Sequence, residues 1–279
     1  MTPLTAQQMA HFDTFGYLGF PGLLADRAEA IIQEFERLWA KHGGGHDGKP
    51  HDGSARSAMV QFLDQSEYLS TLLDDHRIHD IATSILGDDF NYMGSDGNFY
   101  AGDTKWHSDG YGGRGGPQHI KIAFYLDPLT RDSGALRVIP GSHRIGDPYA
   151  DQLERETRKS EDVWGITGSQ VPAQALETQA GDILVFNHDL KHSAWGGSKR
   201  RRMFTMNCCE RYPEDKLAQL QEYIGAGSRF FIERAYDDTI VRTAGPERLV
   251  HLEQALANDG GLAELSRQRR AESPEPARG

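Results

Sequence analysis

The apolar positions of this chain change their period twice. Behind a Thr5–Gln8 capping box, Met9, Phe12 and Phe15 recur at helical intervals, and the helix is expected to end at Gly16. A second helix is expected from an Asp26 cap with Glu29 at its third position, carrying the stripe Ile31, Ile32, Phe35, Leu38 and Trp39 toward a sheet. A third runs from about Ile78 to Leu86 and stops at Gly87. In the middle of the chain the period falls to two. Asn98 to Tyr100 reads as a strand, and His119 to Leu126 alternates, with Ile120, Ile122, Phe124 and Leu126 on one face. Its other face, Lys121, Ala123 and Tyr125, is expected to look into a barrel. Ile183–Phe186, behind the turn Ala180-Gly181-Asp182, and Met203–Cys208 are expected to pair as a hairpin around Gly196, Gly197 and Ser198. Helical spacing returns with Leu217, Leu220 and Ile224, and again with Leu249, Leu252 and Leu256.

Regularly spaced strands between helical ends describe a mainly β fold with flanking helices, the double-stranded β-helix or cupin-like jelly roll. The core is expected at about residues 88–210 of one domain spanning 1–265, and 266–279, polar and carrying Pro274 and Pro276, is expected to be an unordered tail.

Composition narrows the class. The 279 residues include 38% hydrophobic side chains, enough for a core, and no Ser/Gly/Pro-rich linker divides them. With 41 acidic against 30 basic residues the net charge is −11, which argues against nucleic acid and anionic membrane surfaces as partners. There is no apolar run near 18 residues, and the N-terminus begins with an amphipathic helix where a signal peptide would lie. The two cysteines, Cys208 and Cys209, are neighbours and poorly placed for a structural disulfide, so a reducing, cytoplasmic location is expected. The oligomeric state stays open.

The candidate chemistry lies in Trp106-His107-Ser108-Asp109, in His192, and in the run Arg200-Arg201-Arg202. Two neutral imidazoles and a carboxylate on one face of a divalent ion leave about three positions open, as non-haem Fe(II) oxygenases require for a chelating cosubstrate and O2. An arginine shortly after the last ligand can then hold the cosubstrate's far carboxylate. His-x-Asp alone is weak. His11-Phe12-Asp13 has the same spacing, but on a helix residues i and i+2 point about 200° apart. Around residue 107 an expected strand precedes and a glycine-rich loop follows, and on extended chain i and i+2 share a side. His188 is a rival third ligand, read here as a polar residue at a strand end.

These residues, with Ser133-Gly134-Ala135-Leu136-Arg137-Val138-Ile139-Pro140-Gly141-Ser142-His143-Arg144 and with Gly181–Phe186 leading to Lys191-His192-Ser193, resemble the phytanoyl-CoA dioxygenase family of Fe(II)/2-oxoglutarate oxygenases. The similarity spans roughly residues 5–208. It implies that His107, Asp109 and His192 bind iron and act in catalysis, and that Arg201 receives the C5 carboxylate of 2-oxoglutarate. Arg201 is preferred because Met203, Thr205 and Asn207 match the small or polar alternate residues of the family's strand. The loop after His192 is shorter than the family's, which leaves Arg200 and Arg202 as alternatives. Halogenases of the superfamily replace the carboxylate by Gly or Ala, so Asp109 favours hydroxylation with release of succinate and CO2. Lys121 and Tyr125 are candidates to support the cosubstrate.

The substrate is expected to be a small polar metabolite, met by Asn98, Tyr100, Tyr111, Arg114, Arg137 and Trp195. An acidic chain makes a polyanionic CoA thioester a less natural substrate than the family name suggests. His42, His46 and His51 are spaced irregularly in a Gly-rich loop and are not taken as a second metal site, and His143 is expected to fix its turn. A jelly roll can also serve as a non-catalytic metal-binding or 2-oxoglutarate-sensing module, which is the alternative reading.

Overall fold

The computed structural model describes residues 3–110 and 116–279. Ten strands form two antiparallel sheets. The larger takes, in spatial order, β1 (Tyr17–Phe20), β8 (Ile183–Asn187), β5 (His119–Tyr125), β10 (Arg201–Cys209), β3 (Asn91–Tyr100) and β2 (Ser57–Val60). The smaller takes β4 (Thr104–His107), β9 (His192–Ala194), β6 (Leu136–Val138) and β7 (Gln174–Leu176). The strands return from sheet to sheet as a jelly roll does.

The expected hairpin does not form. β5 lies between β8 and β10, pairing Ala123 with both Leu184 and Thr205, and the segment after β8 crosses to the smaller sheet as β9. β5 brings Ile120, Ile122 and Phe124 into the main apolar cluster on the helix side.

Helices cover the larger sheet. α1 (Ala6–Phe15) has the Thr5–Gln8 capping box and ends at Gly16 in the left-handed region, as the sequence indicates. Any Cβ at Gly16 would lie 2.5 Å from the His143 ring, so His143 packs against the end of this helix. α2 (Ala28–Lys41) buries Ile31, Phe35, Leu38 and Trp39, while Ile32 is half-buried. Its cap is Arg27 with no side-chain bond, because the Asp26 carboxylate instead accepts from Arg77 at 2.6 Å. α3 (Glu67–Ser70) and α4 (His76–Leu86), capped by Asp75 and ended at Gly87, complete this layer.

The α2 stripe meets the outward residues of the sheet. Phe35 lies 5.4 Å from Phe99, and Phe124 stacks on Phe204 at 4.4 Å between ring centres. A second cluster, including Ala123, Leu136, Val138, Phe186 and Met203, fills the space between the sheets. A third, of Trp106, Ile139, Leu153 and Val171, lies under α5 (Pro148–Glu156) and α6 (Ser160–Trp164), the helices inserted between β6 and β7.

The chain ends in five helices: α7 (Leu217–Ala226), α8 (Asp238–Arg242), α9 (Pro246–Val250), α10 (Glu253–Asn258) and α11 (Leu262–Glu272). The expectation of an unordered stretch from Ser266 fails here. Ser266 is buried within α11, and the residues after it return to the body, where Pro276 accepts from His46 at 3.0 Å and Ala277 donates to Arg229 at 2.9 Å. No helix among the described residues is long and apolar enough to cross a membrane.

Candidate metal centre and cosubstrate pocket

His107 ends β4 and His192 begins β9, and the two are direct partners across that antiparallel pair. Register alone thus brings together imidazoles 85 positions apart, with ring centres 4.2 Å from each other. Asp109 follows just beyond β4, where its backbone N–H donates to the His188 carbonyl at 2.7 Å and turns its carboxylate back toward both rings. One oxygen lies 3.8 Å from His107 Nε2 and the other 3.8 Å from His192 Nε2. Ligand atoms of the three residues all fall within 4.8 Å of one another, the one such group among the described residues.

The donor chemistry fits a divalent ion. His107 Nδ1 bonds the Lys105 carbonyl and His192 Nδ1 the Leu190 carbonyl, each at 2.8 Å, so each ring keeps Nε2 as a lone-pair donor. Burial lowers the pKa of both rings, that of His192 to about 3, and keeps them neutral near pH 7. Burial acts the other way on the Asp109 carboxyl, but Lys121, 2.7 Å from it, and the nearby histidines outweigh burial and hold it well below the usual carboxylate range. The set is two neutral imidazoles and one ionised carboxylate, suited to Fe(II) with open positions.

His188 stands outside this group. It is buried just beyond the end of β8, 5.5 Å from the His119 ring, and its backbone carbonyl holds Asp109 and Gly110. The His42–His51 segment forms no donor cluster: His46 and His51 bond to Ala58 and Pro276, and to Ser57 and Lys199. His11 lies on α1 and bonds the Tyr17 carbonyl, so the first His-x-Asp is structural.

The donor group opens on a cavity of about 720 Å³ that runs along the inner face of the larger sheet and is also lined by the C-terminal helical segment, including Ile224, Arg229 and Leu262. Its floor is the inward set of the larger sheet: Lys121 and Tyr125 of β5, Arg201, Met203, Thr205 and Asn207 of β10, Asp96 and Tyr100 of β3. Arg201 is buried and points inward. Its terminal nitrogens donate to Gly134 at 2.7 Å and Gly102 at 2.8 Å, while Nε has no acceptor among the described residues. A side chain at Gly134 would come within 2.6 Å of the Arg201 stem, so the glycine, at φ +99°, makes room for the guanidinium. Its neighbours face outward. Arg202 pairs with Asp127 and Glu36, and Arg200 pairs with Glu36 and covers the Phe99 ring. A buried guanidinium with an orphan N–H suits a carboxylate guest.

The chain belongs to the phytanoyl-CoA dioxygenase family. The family's model matches residues 12–203. The ectoine dioxygenase of Sphingopyxis alaskensis is 25% identical over 221 residues, covering 70% of this chain and 71% of that protein. Solved structures that share the fold include the non-haem α-ketoglutarate-dependent carbocyclase SnoK from nogalamycin biosynthesis, with TM-score 0.58 and 21% identity over 75% of this chain and 87% of that one, and EctD from S. alaskensis with 2-oxoglutarate and 5-hydroxyectoine, with TM-score 0.56 and 22% identity over 75% and 77%. The protein is accordingly an Fe(II)- and 2-oxoglutarate-dependent dioxygenase on a jelly roll.

The expected substrate residues divide. Tyr100 lines the cavity. Asn98 is fully buried and meets the cavity through lining residues, accepting from Arg56 at 2.8 Å and donating to Asp96 at 2.7 Å and to the Met203 sulfur at 3.5 Å. Arg137 and Trp195 do not line the cavity. In β6, Leu136 and Val138 take the inward positions, and Arg137 points outward to the carbonyls of Ser169 and Arg131. Trp195 bonds Ser193 and packs beside Trp106 and Val171 under the insertion. Tyr111 and Arg114 lie outside the described residues. Asp96 was missed by the sequence reading. Alternation from Tyr100 back along β3 would have found it, and it accepts from Thr205 and pairs with Arg56 at 2.9 Å.

Proposed function

We propose that the protein hydroxylates, or otherwise oxidises, a small polar metabolite, releasing succinate and CO2 from 2-oxoglutarate. The observation that carries this reading is the convergence of three metal donors and one inward, buried arginine on the same cavity. His107, Asp109 and His192 hold the iron, and Arg201 holds the C5 carboxylate of 2-oxoglutarate through its planar fork. Bound iron supplies O2 activation coupled to decarboxylation of the cosubstrate.

The chain's own residues orient and exclude. Lys121 fixes the Asp109 carboxylate through their 2.7 Å pair. Burial raises the pKa of Tyr125, so its hydroxyl keeps its proton and can donate beside Arg201. Phe186 and Met203 keep the inner wall apolar and limit water at the reacting centre. The retained carboxylate at position 109 leaves no ligand position for a halide in place of Asp, which supports oxidation over halogenation. A cytoplasmic setting fits two buried, unpaired thiols, Cys208 and Cys209.

The test is succinate release from 2-oxoglutarate with Fe(II) and O2, first without substrate and then with a library of small polar metabolites. Release that depends on Fe(II) and rises with a library member is expected. Binding of 2-oxoglutarate without any turnover would point to a sensing module instead.

A further inference from the structure

The cavity carries the opposite charge to the protein. Among the described residues, six basic side chains line it, Arg56, Lys105, Lys121, Arg158, Arg201 and Arg229, against the side-chain carboxylates of Asp96 and Asp109, an excess of four in a chain of net charge −11. On the reading proposed above, a divalent ion and doubly charged 2-oxoglutarate cancel one another and leave that excess in place.

The commitments of the six differ. Lys121 serves Asp109, Arg56 serves Asp96, and Arg201 sits among carbonyls deep in the pocket. Arg158 is different. Its Nε donates to the Trp106 carbonyl at 3.1 Å, which pins the guanidinium beside β4, one residue before His107. Arg158 is exposed at the cavity's edge, and its two terminal nitrogens make no hydrogen bond or ion pair among the described residues, although the Glu154 carboxylate lies within electrostatic reach. Lys105 flanks the same stretch on the strand, also lines the cavity, and likewise has no carboxylate partner among them. An arginine anchored through Nε presents its remaining N–H groups in a fixed fork, the arrangement that receives a carboxylate or phosphate bidentately. A cleft of one sign in a protein of the other also concentrates a charged ligand at the cavity.

We infer that the substrate is an anion, a small molecule with a carboxylate or phosphate group, and that this group docks on Arg158 with Lys105 beside it at the metal side of the cavity. This rests on the oxygenase reading for the identity of the guest, and its test has an arm that does not.

In that arm, inorganic phosphate and acetate are titrated separately into the anaerobic Mn(II)- and 2-oxoglutarate-loaded protein while tryptophan fluorescence is followed, since Trp106 adjoins the site. The proposal expects saturable binding of at least one probe, weakened roughly tenfold or more in Arg158→Gln and partly restored in Arg158→Lys. Which probe binds more tightly separates carboxylate from phosphate recognition. In the second arm, succinate release is measured with small carboxylic acids, phosphate esters and their neutral amide or alcohol counterparts. Anionic members should stimulate turnover, and Arg158→Gln should raise their KM by a similar factor while kcat and the 2-oxoglutarate constant stay close to wild type. Equal probe affinity in wild type and Arg158→Gln, equal stimulation by neutral counterparts, or an Arg158→Gln effect confined to 2-oxoglutarate would each overturn the proposal. Phosphate or acetate binding that depends on Arg158 in a protein that releases no succinate would uphold the anion site and strike the oxygenase reading instead.

Discussion

The two faces of the larger sheet use alternate residues of the same strands and share only their backbone. On β10, Phe204, Met206 and Cys208 point to the helices and are fully buried in the main apolar cluster. Arg201, Met203, Thr205 and Asn207 point to the cavity. On β5, Ile120, Ile122 and Phe124 face the helices, while Lys121 and Tyr125 face the cavity. Because side-chain direction has a period of two, stability and chemistry are written into one strand without competing for positions. A change on the helix face should therefore cost folding free energy, and a change on the cavity face should cost function.

The largest test is at the metal donors. His107→Ala and His192→Ala should each eliminate succinate release, and His107→Ala, at a half-buried position, should leave the thermal midpoint nearly unchanged. Asp109→Ala should also eliminate release, and it departs from the simple division of faces. Removing it strands the Lys121 ammonium in the cavity and should cost up to about 3 kcal/mol of stability. Thermal melts beside the activity assay separate the two effects.

On the helix face, Phe204→Ala should destabilise by about 3 to 5 kcal/mol while turnover per folded molecule persists. Denaturant titration and activity measured on the same samples check both halves. Loss of turnover at full stability would break the comparison.

Arg201→Ala should weaken 2-oxoglutarate by about 2 to 4 kcal/mol, roughly 30- to 1000-fold in the apparent constant, and lysine should rescue only in part. Steady-state titration of the cosubstrate reads the effect directly.

The helix side also holds a titrating group. Burial pushes the Asp64 carboxyl up to about 7, against the opposing hydrogen bond from the Tyr92 hydroxyl at 2.7 Å. A pKa raised on folding stabilises fully below the unfolded value, near 3.8, and that stability is lost as pH rises through about 7. Wild type minus Asp64→Asn should thus decline with pH by up to about 1.4 kcal/mol per unit across that window. Chemical denaturation of both proteins from pH 4 to 7.5 gives the difference curve, and a flat one would remove Asp64 as its source. The smallest effect belongs to Arg202→Ala, whose partly exposed pairs with Asp127 and Glu36 should be worth at most about 1 kcal/mol, with no change in the 2-oxoglutarate constant.

Local pattern carried the faces of the elements into view, and partnership over distance did not. The α2 stripe and the inward Lys121 and Tyr125 follow from period, whereas the choice of Arg201 over Arg200 and Arg202 comes from the family resemblance and stays open until the facing of β10 is seen. The pairing of His107 with His192 depends on a register between β4 and β9 that no spacing contains. The same limit explains the misread hairpin, since β5 enters between its supposed strands from far upstream. Asp26 reads as a cap until Arg77, 51 positions away, claims its carboxylate. Arg137 and Trp195 look available for substrate until an inserted helical layer meets them on the outer side of the smaller sheet. The segment after Glu272 has no large apolar side chain, and its backbone is held by hydrogen bonds with His46 and Arg229.

The central claim is that His107, Asp109 and His192, and not His188, form the metal centre on the cavity side. Anaerobic equilibrium dialysis with Fe(II) tests it without reference to any substrate. The account predicts one ion per wild-type chain, its loss in His107→Ala and His192→Ala, and its retention in His188→Asn. Retention of the ion in His192→Ala together with its loss in His188→Asn would contradict it.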